Sequence, residues 1–512
     1  DMTIDDGSYC PNLGRAVGEI SRRANAILAT DAELPGAVNL QTLFTVGAPK
    51  NANKTFFDGL EIPYGGDSRR VRPSVDAESS ERCVARAAAR RSRLAIAQNL
   101  AKQSRQTPQS ADLFLGQLND SLCGVDVDLA VEYITTSGKL FAAIGAWRPA
   151  AEIFASLSPT LYSDPQSREA LAWLMQYYCG SEPERRVLAQ GGSALDDEPG
   201  GRLKEAQILA ERLREDAPDA FMAPEIRFPF AAAQLASGDY QGAMRFYLVR
   251  SQSSVGASGT GGGKDDVWAV RAAAEYWLRA PDGDIGTHKA EFCPLSVATC
   301  RAAIAKPFLD GLLEPEAWDA ATELRLSEPY PDARSREATP DEKLRDEWRA
   351  KNRAFSADLG ARLYFLVDSE YLYIAGRCPK VKGYRYATRD DKEARPRDAN
   401  LSQKDRVEVA IDLDGDYATA CQFVVDCDGW LADSMWGDAS WNPPIFLARH
   451  EESDEWSFEA AIPLSSFAPA PPRPGASWRM SARRVVPGVG VECWNVENSD
   501  RGEKAFGVLQ FE

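Results

Sequence analysis

Histidine is nearly missing from this chain: His288 and His450 are the 2 in 512 residues. That scarcity argues against a zinc site and against acid–base catalysis centred on imidazole. The 10 cysteines include no Cys-x-x-Cys pair, which removes the usual thiolate zinc pattern as well. No Gly-x-Ser-x-Gly nucleophile elbow is present. Long apolar runs are lacking too. None reaches the roughly 18 residues of a membrane-crossing helix, and no signal-peptide pattern appears. Positive charge is in deficit, with 59 Lys and Arg against 76 Asp and Glu and a net charge of −17. Such a chain is repelled by nucleic acid and by anionic membrane surfaces. It is compatible with divalent cations and neutral ligands. The glycine-rich stretch "SSVGASGTGGGKDD" (253–266) lacks the phosphate-loop pattern, because Ser258 stands at the first glycine position and Asp265 follows Lys264. It reads as a flexible connection between helices.

Core-forming material is plentiful: 44% of residues are hydrophobic, and the length predicts two or three domains. The chain begins at Asp1 in place of Met, as a processed or an artificially trimmed chain does, and a secreted, periplasmic or cell-surface location is expected. Cys10, Cys83, Cys123, Cys179, Cys293, Cys300, Cys378, Cys421, Cys427 and Cys493 are an even set, which suits disulfides in an oxidising compartment. Cys293 and Cys300, in "CPLSVATC", are the natural local pair.

The hydrophobic period changes twice. Residues 1–76 are rich in Gly, Pro, Asn and Asp and read as an extended arm that packs on its own body or on a neighbouring subunit. From 77 to 305, apolar residues recur at helical spacing, as in "DVDLAVEYITTSGKLFAAIGAWRPAAEIFASL" and "DDVWAVRAAAEYWLRA". Two segments share a pattern: Gly145, Trp147 and Ala150 match Gly238, Tyr240 and Ala243. The alanines permit close helix approach, and the aromatics would fill the groove beside them. From 306 to 512 the period falls to two, in "ARLYFLVDSEYLYIAGRC", "DRVEVAIDLDGD", "ACQFVVDCDGWLAD", "EWSFEAAIPLSSF" and "SWRMSARRVV". Short alternating strands of this kind predict an antiparallel β-sandwich. The fold class is therefore multidomain α plus β: an arm, a helical-hairpin region and a sandwich. Trp318, Trp456 and Trp478 fall on its core positions.

The glycine–aromatic–alanine pattern resembles tetratricopeptide-type repeats, which implies a curved helical solenoid with an extended protein-binding face. In the last third, "FLDGLLEPEAWDAATELRL", "DRVEVAIDLDGD", "WSFEAAIPLSSF" and "GVLQFE" follow in an order that resembles family 9 carbohydrate-binding modules. The resemblance implies a sandwich that binds sugars between tryptophans and holds structural calcium.

Two constellations are the candidate sites. Trp436, Trp441 and Trp494 offer flat, polarisable rings for stacking on a pyranose, with Asp438, Asn442, Asn495 and Glu497 near enough in sequence to read its hydroxyls. The competing reading is that these rings plug the sandwich edge or an interface. Asp412, Asp414 and Asp416, in "IDLDGDY", set three carboxylates at alternate positions across a turn, a spacing that suits Ca²⁺. The sequence supports three functions in descending order. The first is a non-catalytic exported protein with a helical scaffold for protein contacts and a carbohydrate-binding sandwich at the cell surface. The second is a structural subunit of a large extracellular or envelope assembly. The third is a glycoside hydrolase, which needs two carboxylates facing one another in a cleft.

Overall fold

The computed structural model describes residues 125–189, 201–252, 266–279, 293–326, 328–330, 360–386, 397–468, 470–495 and 505–512, with a few isolated positions before them. Apart from Ser8–Tyr9, which pair as a short strand with Val125–Asp126, the expected arm (1–76) lies outside the described residues, as do the glycine-rich connection up to residue 265, His288 and Glu497. The chain forms two compact units, Asp1–Ala170 and Leu171–Glu512.

In the first unit, α1 (Val127–Ala143) packs on α2 (Trp147–Ala155). Gly138 allows the approach: a Cβ there would sit 2.2 Å from the Phe154 ring. Gly145 ends α1 in the left-handed region at φ 74, and the Ala146 amide then closes back onto the Phe141 carbonyl at 3.0 Å. Gly238 does the same after α7 at φ 89. The shared alanines, Ala150 and Ala243, are both fully buried, as close packing requires. The aromatic position is not equivalent: Trp147 is buried, whereas Tyr240 is exposed. The helices are present, but nothing in their arrangement shows a tetratricopeptide solenoid.

The second unit starts within α3 (Ser167–Cys179) and continues through α4 (Glu182–Ala189), α5 (Gly201–Asp216), α6 (Pro218–Phe221), α7 (Pro224–Ala236), α8 (Tyr240–Gln252) and α9 (Val267–Arg279). Thirteen strands follow. They are β1 (Val297–Ala302), β2 (Leu324–Arg325), β3 (Glu328–Tyr330), β4 (Arg362–Val367), β5 (Tyr371–Pro379), β6 (Arg406–Asp412), β7 (Cys421–Asp426), β8 (Leu431–Met435), β9 (Phe446–Glu451), β10 (Glu455–Pro463), β11 (Ser477–Val486), β12 (Gly490–Cys493) and β13 (Gly507–Phe511). One layer runs β8-β7-β6-β11-β13, and the other β4-β5-β10-β9. All of these neighbours are antiparallel. β1 joins the layers, pairing parallel with β13 through Val297–Cys300 and with β4 through Arg301–Ala302. The sandwich thus begins before residue 306.

Alternation puts Ile374, Val407, Val409, Phe423, Val425, Phe458, Ala460 and Ile462 between the layers. Trp456 is buried there, and its Nε1 donates to Asp405 Oδ2 at 2.9 Å. The same carboxylate receives Arg484 Nη2 at 2.7 Å and the Tyr386 hydroxyl at 2.9 Å. Trp318 and Trp478 are buried as expected. The opposite face of the β6 layer carries Ala410, Tyr417, Ala420, Phe506 and Val508, which pack against Phe228, Phe246, Tyr247 and Leu278 of α7, α8 and α9. The last helices and the sandwich therefore share one hydrophobic core.

The cysteines correct one expectation. Cys293 and Cys300 are not bridged to each other; both are thiols. "CPLSVATC" is not a closed loop: residues 297–302 are an extended strand, which carries Cys300 into the core and away from Cys293.

Candidate functional site

The acidic turn links β6 to β7. Gly415 and Tyr417 take left-handed backbone at φ 74 and φ 60, which folds three aspartates inward. Asp412 Oδ1 accepts from the amides of Asp414 (3.1 Å) and Gly415 (2.8 Å), and its Oδ2 accepts from the Tyr417 amide (2.8 Å). Asp416 Oδ1 accepts from the amides of Ala418 (2.7 Å) and Thr419 (2.8 Å), and its Oδ2 from the Thr419 hydroxyl (3.0 Å). One carboxylate oxygen from each of Asp412, Asp414 and Asp416 lies within 4.8 Å of the others. The structure thus brings together all three residues proposed as metal ligands.

A fourth carboxylate joins them from the helical region. The Ser181 amide donates to Asp414 Oδ2 at 3.1 Å, so the residue before Glu182 is fastened to the turn. Glu182 opens α4 and is 0% exposed. Neither of its carboxylate oxygens has a hydrogen-bond partner among the described residues, and Asp414 Oδ1 also has none. The Thr419 hydroxyl is close by, but its proton goes to Asp416. Burial, then Asp414 and Asp412, push the Glu182 carboxyl well above the usual carboxylate range. Burial, then Asp416 and Asp414, do the same to Asp412. Burial, then Asp414 and Glu182, raise Asp416. Negative charges confined in a dry space repel one another and cost several kcal/mol unless protons or a cation neutralise them. Sequence reasoning missed Glu182, because an acidic residue opening a short helix carries no mark of a partner more than two hundred positions away.

The aromatic loop has another use. Trp436, held in left-handed backbone at φ 48, stacks on Trp173 with centroids 4.6 Å apart and planes 16° apart. Trp173 stacks in turn on Tyr177 at 5.6 Å. Trp441 is 2% exposed and packs on Phe423 at 5.8 Å. Asp438 is buried and pairs with Arg186 of α4; Arg186 Nη2 also donates to Ser440 Oγ at 2.9 Å. Asn442 is exposed, and its Nδ2 donates to the Ser440 carbonyl at 3.2 Å. Trp494, half-buried at the end of β12, lies across Gly507, where a Cβ would come within 2.6 Å of the ring. Asn495 Nδ2 donates to the Phe506 carbonyl at 2.7 Å. The three tryptophans are therefore packed in three different places. Trp441 and Asp438 have no face left for a ligand, since the core and Arg186 occupy them.

A different surface combines an aromatic with polar groups. Ser369, Glu370, Tyr371, Leu464 and Ser465 line an open cleft of about 420 Å³ beside the β4–β5 turn. Phe446, on β9 at the end of its layer, is 56% exposed and meets the Tyr371 ring edge-on at 6.2 Å. Lys306 Nζ lies 5.4 Å from the Tyr371 ring centre and pairs with Glu370 at 2.5 Å.

No family model matches the chain, and no curated protein matches it. Among solved structures, the chain is similar to a family 9 carbohydrate-binding module from Caldicellulosiruptor kristjanssonii in complex with cellotriose. That match has 14% identity, covers 42% of this chain and 94% of the other, and has a TM-score of 0.28. The module from the same organism in complex with glucose gives 13% identity, 42% and 95% coverage, and a TM-score of 0.28. Among the described residues, no helix is long and apolar enough to cross a membrane.

Proposed function

We propose that this chain is a non-catalytic carbohydrate-binding protein that acts outside the cell, with the sugar received at the edge of the sandwich and not on the tryptophan loop. The observation that carries the reading is the cleft of about 420 Å³ beside Tyr371. A sugar ring has an apolar C–H face and a rim of hydroxyls, so its receptor needs a flat aromatic with donors and acceptors around it. Tyr371 and exposed Phe446 supply the rings. Glu370 accepts from hydroxyls, Ser369 and Ser465 both donate and accept, and Lys306 donates. The test is a glycan array probed with the full chain and with Tyr371→Ala. Binding that disappears in the variant supports the reading; an array silent for the unsubstituted chain refutes it.

A second reading, a structural subunit of a larger assembly, has its own observation. Ile304 and Phe308, on the segment after β1, are 82% and 77% exposed. Two large apolar side chains left in water so close together suit a protein contact. Light scattering that shows only monomer across a concentration series would remove this reading. The helical scaffold for protein contacts belongs with the first reading, beside the carbohydrate-binding sandwich.

A further inference from the structure

We propose that Glu182 completes a binding site for a hard divalent cation, Ca²⁺ by preference, with Asp412, Asp414 and Asp416, so that one ion fastens the α3–α4 connection to the sandwich. The site does not depend on the sugar reading. Three carboxylates converge on the β6–β7 turn, and Glu182 of α4 lies beside them, held there by the Ser181 amide on Asp414 Oδ2. The independent sign of a ligand is Glu182 itself: it is fully buried, is placed beside the aspartates by the Ser181–Asp414 hydrogen bond, and has neither carboxylate oxygen in a hydrogen bond of good geometry among the described residues. Asp414 Oδ1 is likewise unsatisfied. A buried acceptor with no donor is costly, and a cation is the one partner that satisfies several acceptors together.

The donors select the ion. All four are oxygens, which suits a hard cation rather than zinc. Oxygens bound to one Ca²⁺ at about 2.3–2.6 Å sit up to about 5 Å apart across the ion. The three aspartate oxygens lie within 4.8 Å of one another, inside that span. Cys179 is the nearby soft donor, but its sulfur is engaged with Met175 Sδ at 3.6 Å. Gly180 gives the connection room: a Cβ there would come within 3.0 Å of Glu182 Oε2 and 2.8 Å of the Gln176 carbonyl.

The experiment uses the full chain, stripped with chelator and dialysed. Calorimetric titration and thermal unfolding are then run with CaCl₂, MgCl₂ or ZnCl₂ alone. One Ca²⁺ per chain and a melting temperature that rises with Ca²⁺ concentration are expected, because an ion bound only by the folded state stabilises it. Glu182→Gln should weaken Ca²⁺ by at least about ten-fold, as loss of a charged ligand does. It should also melt higher than the unsubstituted chain without metal and lower with it, because the charge is a liability only when nothing neutralises it. That reversal is not expected of a merely structural glutamate. Asp414→Asn should behave likewise and stands in if the first variant does not fold. Absence of binding by all three ions overturns the proposal. So does unchanged Ca²⁺ affinity in Glu182→Gln, and so does tighter binding of Zn²⁺ than of Ca²⁺.

Discussion

The ion pair between Glu275 of α9 and Arg479 of β11 should be among the costliest contacts to break in the second unit. Arg479 Nε donates to Glu275 Oε1 at 2.5 Å, and Nη2 donates to Oε2 at 2.8 Å. The Tyr417 hydroxyl adds a bond to Oε1 at 2.6 Å, and Arg279 pairs with Oε2. Both partners are buried, at 0% and 1% side-chain exposure. Glu275→Gln keeps the shape but leaves the Arg479 guanidinium charged and uncompensated. Stranding one member of such a pair costs about 3–5 kcal/mol, a large share of the 5–15 kcal/mol typical of a domain. Urea unfolding monitored by tryptophan fluorescence reads the loss directly. Glu275→Leu combined with Arg479→Leu should recover most of it, because the desolvation cost then disappears with both charges. The acid limb gives a second check. Burial alone would raise the Glu275 carboxyl, but Arg479 and Arg279 outweigh it and hold it at about 2, against 4.5 normally. The folded state thus has the lower pKa, so the stabilisation is complete above pH 4.5 and is lost as pH falls towards 2. A shift of that size corresponds to about 3 kcal/mol, and Glu275→Gln should flatten that part of the pH profile. A loss below about 1 kcal/mol at neutral pH, with the acid limb unchanged, would refute the reasoning.

Trp436→Ala removes the stack on Trp173 and should cost at least about 1 kcal/mol in urea unfolding. Because the half-buried ring already stacks on the protein's own helix, the loss should appear with no ligand added. Gly507→Ala places a methyl within 2.6 Å of the Trp494 ring and 2.8 Å of the Ser296 carbonyl. The backbone oxygen cannot swing aside, so a destabilisation of about 1–3 kcal/mol is expected, read as a lower melting temperature. Tyr371→Ala, at the open cleft, should abolish polysaccharide binding, and because the half-buried ring also packs on Tyr373 and Phe446 it should lower the melting temperature by a few degrees, an effect of about 1 kcal/mol.

The sandwich was legible because its strands alternate cleanly. "DRVEVAID" and "EWSFEAAIP" place Val407, Val409, Phe458 and Ala460 on one face, and the structure puts them between the layers. Pairing across distance was not legible. "CPLSVATC" looks like a loop because its cysteines are close in sequence, yet it is the parallel strand that joins the two layers. Residue type predicted that the tryptophans would be covered or would stack; it could not say that Trp173, from a helix far upstream, does the covering. The acidic turn shows the same division. Local spacing revealed Asp412, Asp414 and Asp416, because they fold onto one another within five residues. Glu182 joins them only through the packing of α4, which no local pattern encodes.

The claim that this chain binds carbohydrate is tested most directly by affinity gel electrophoresis of the full chain through a panel of soluble polysaccharides. Retarded migration in at least one gel, restored to the free rate by Tyr371→Ala, is the predicted result. Migration that matches an inert marker in every gel, with the protein folded and Ca²⁺ in the buffer, would contradict it.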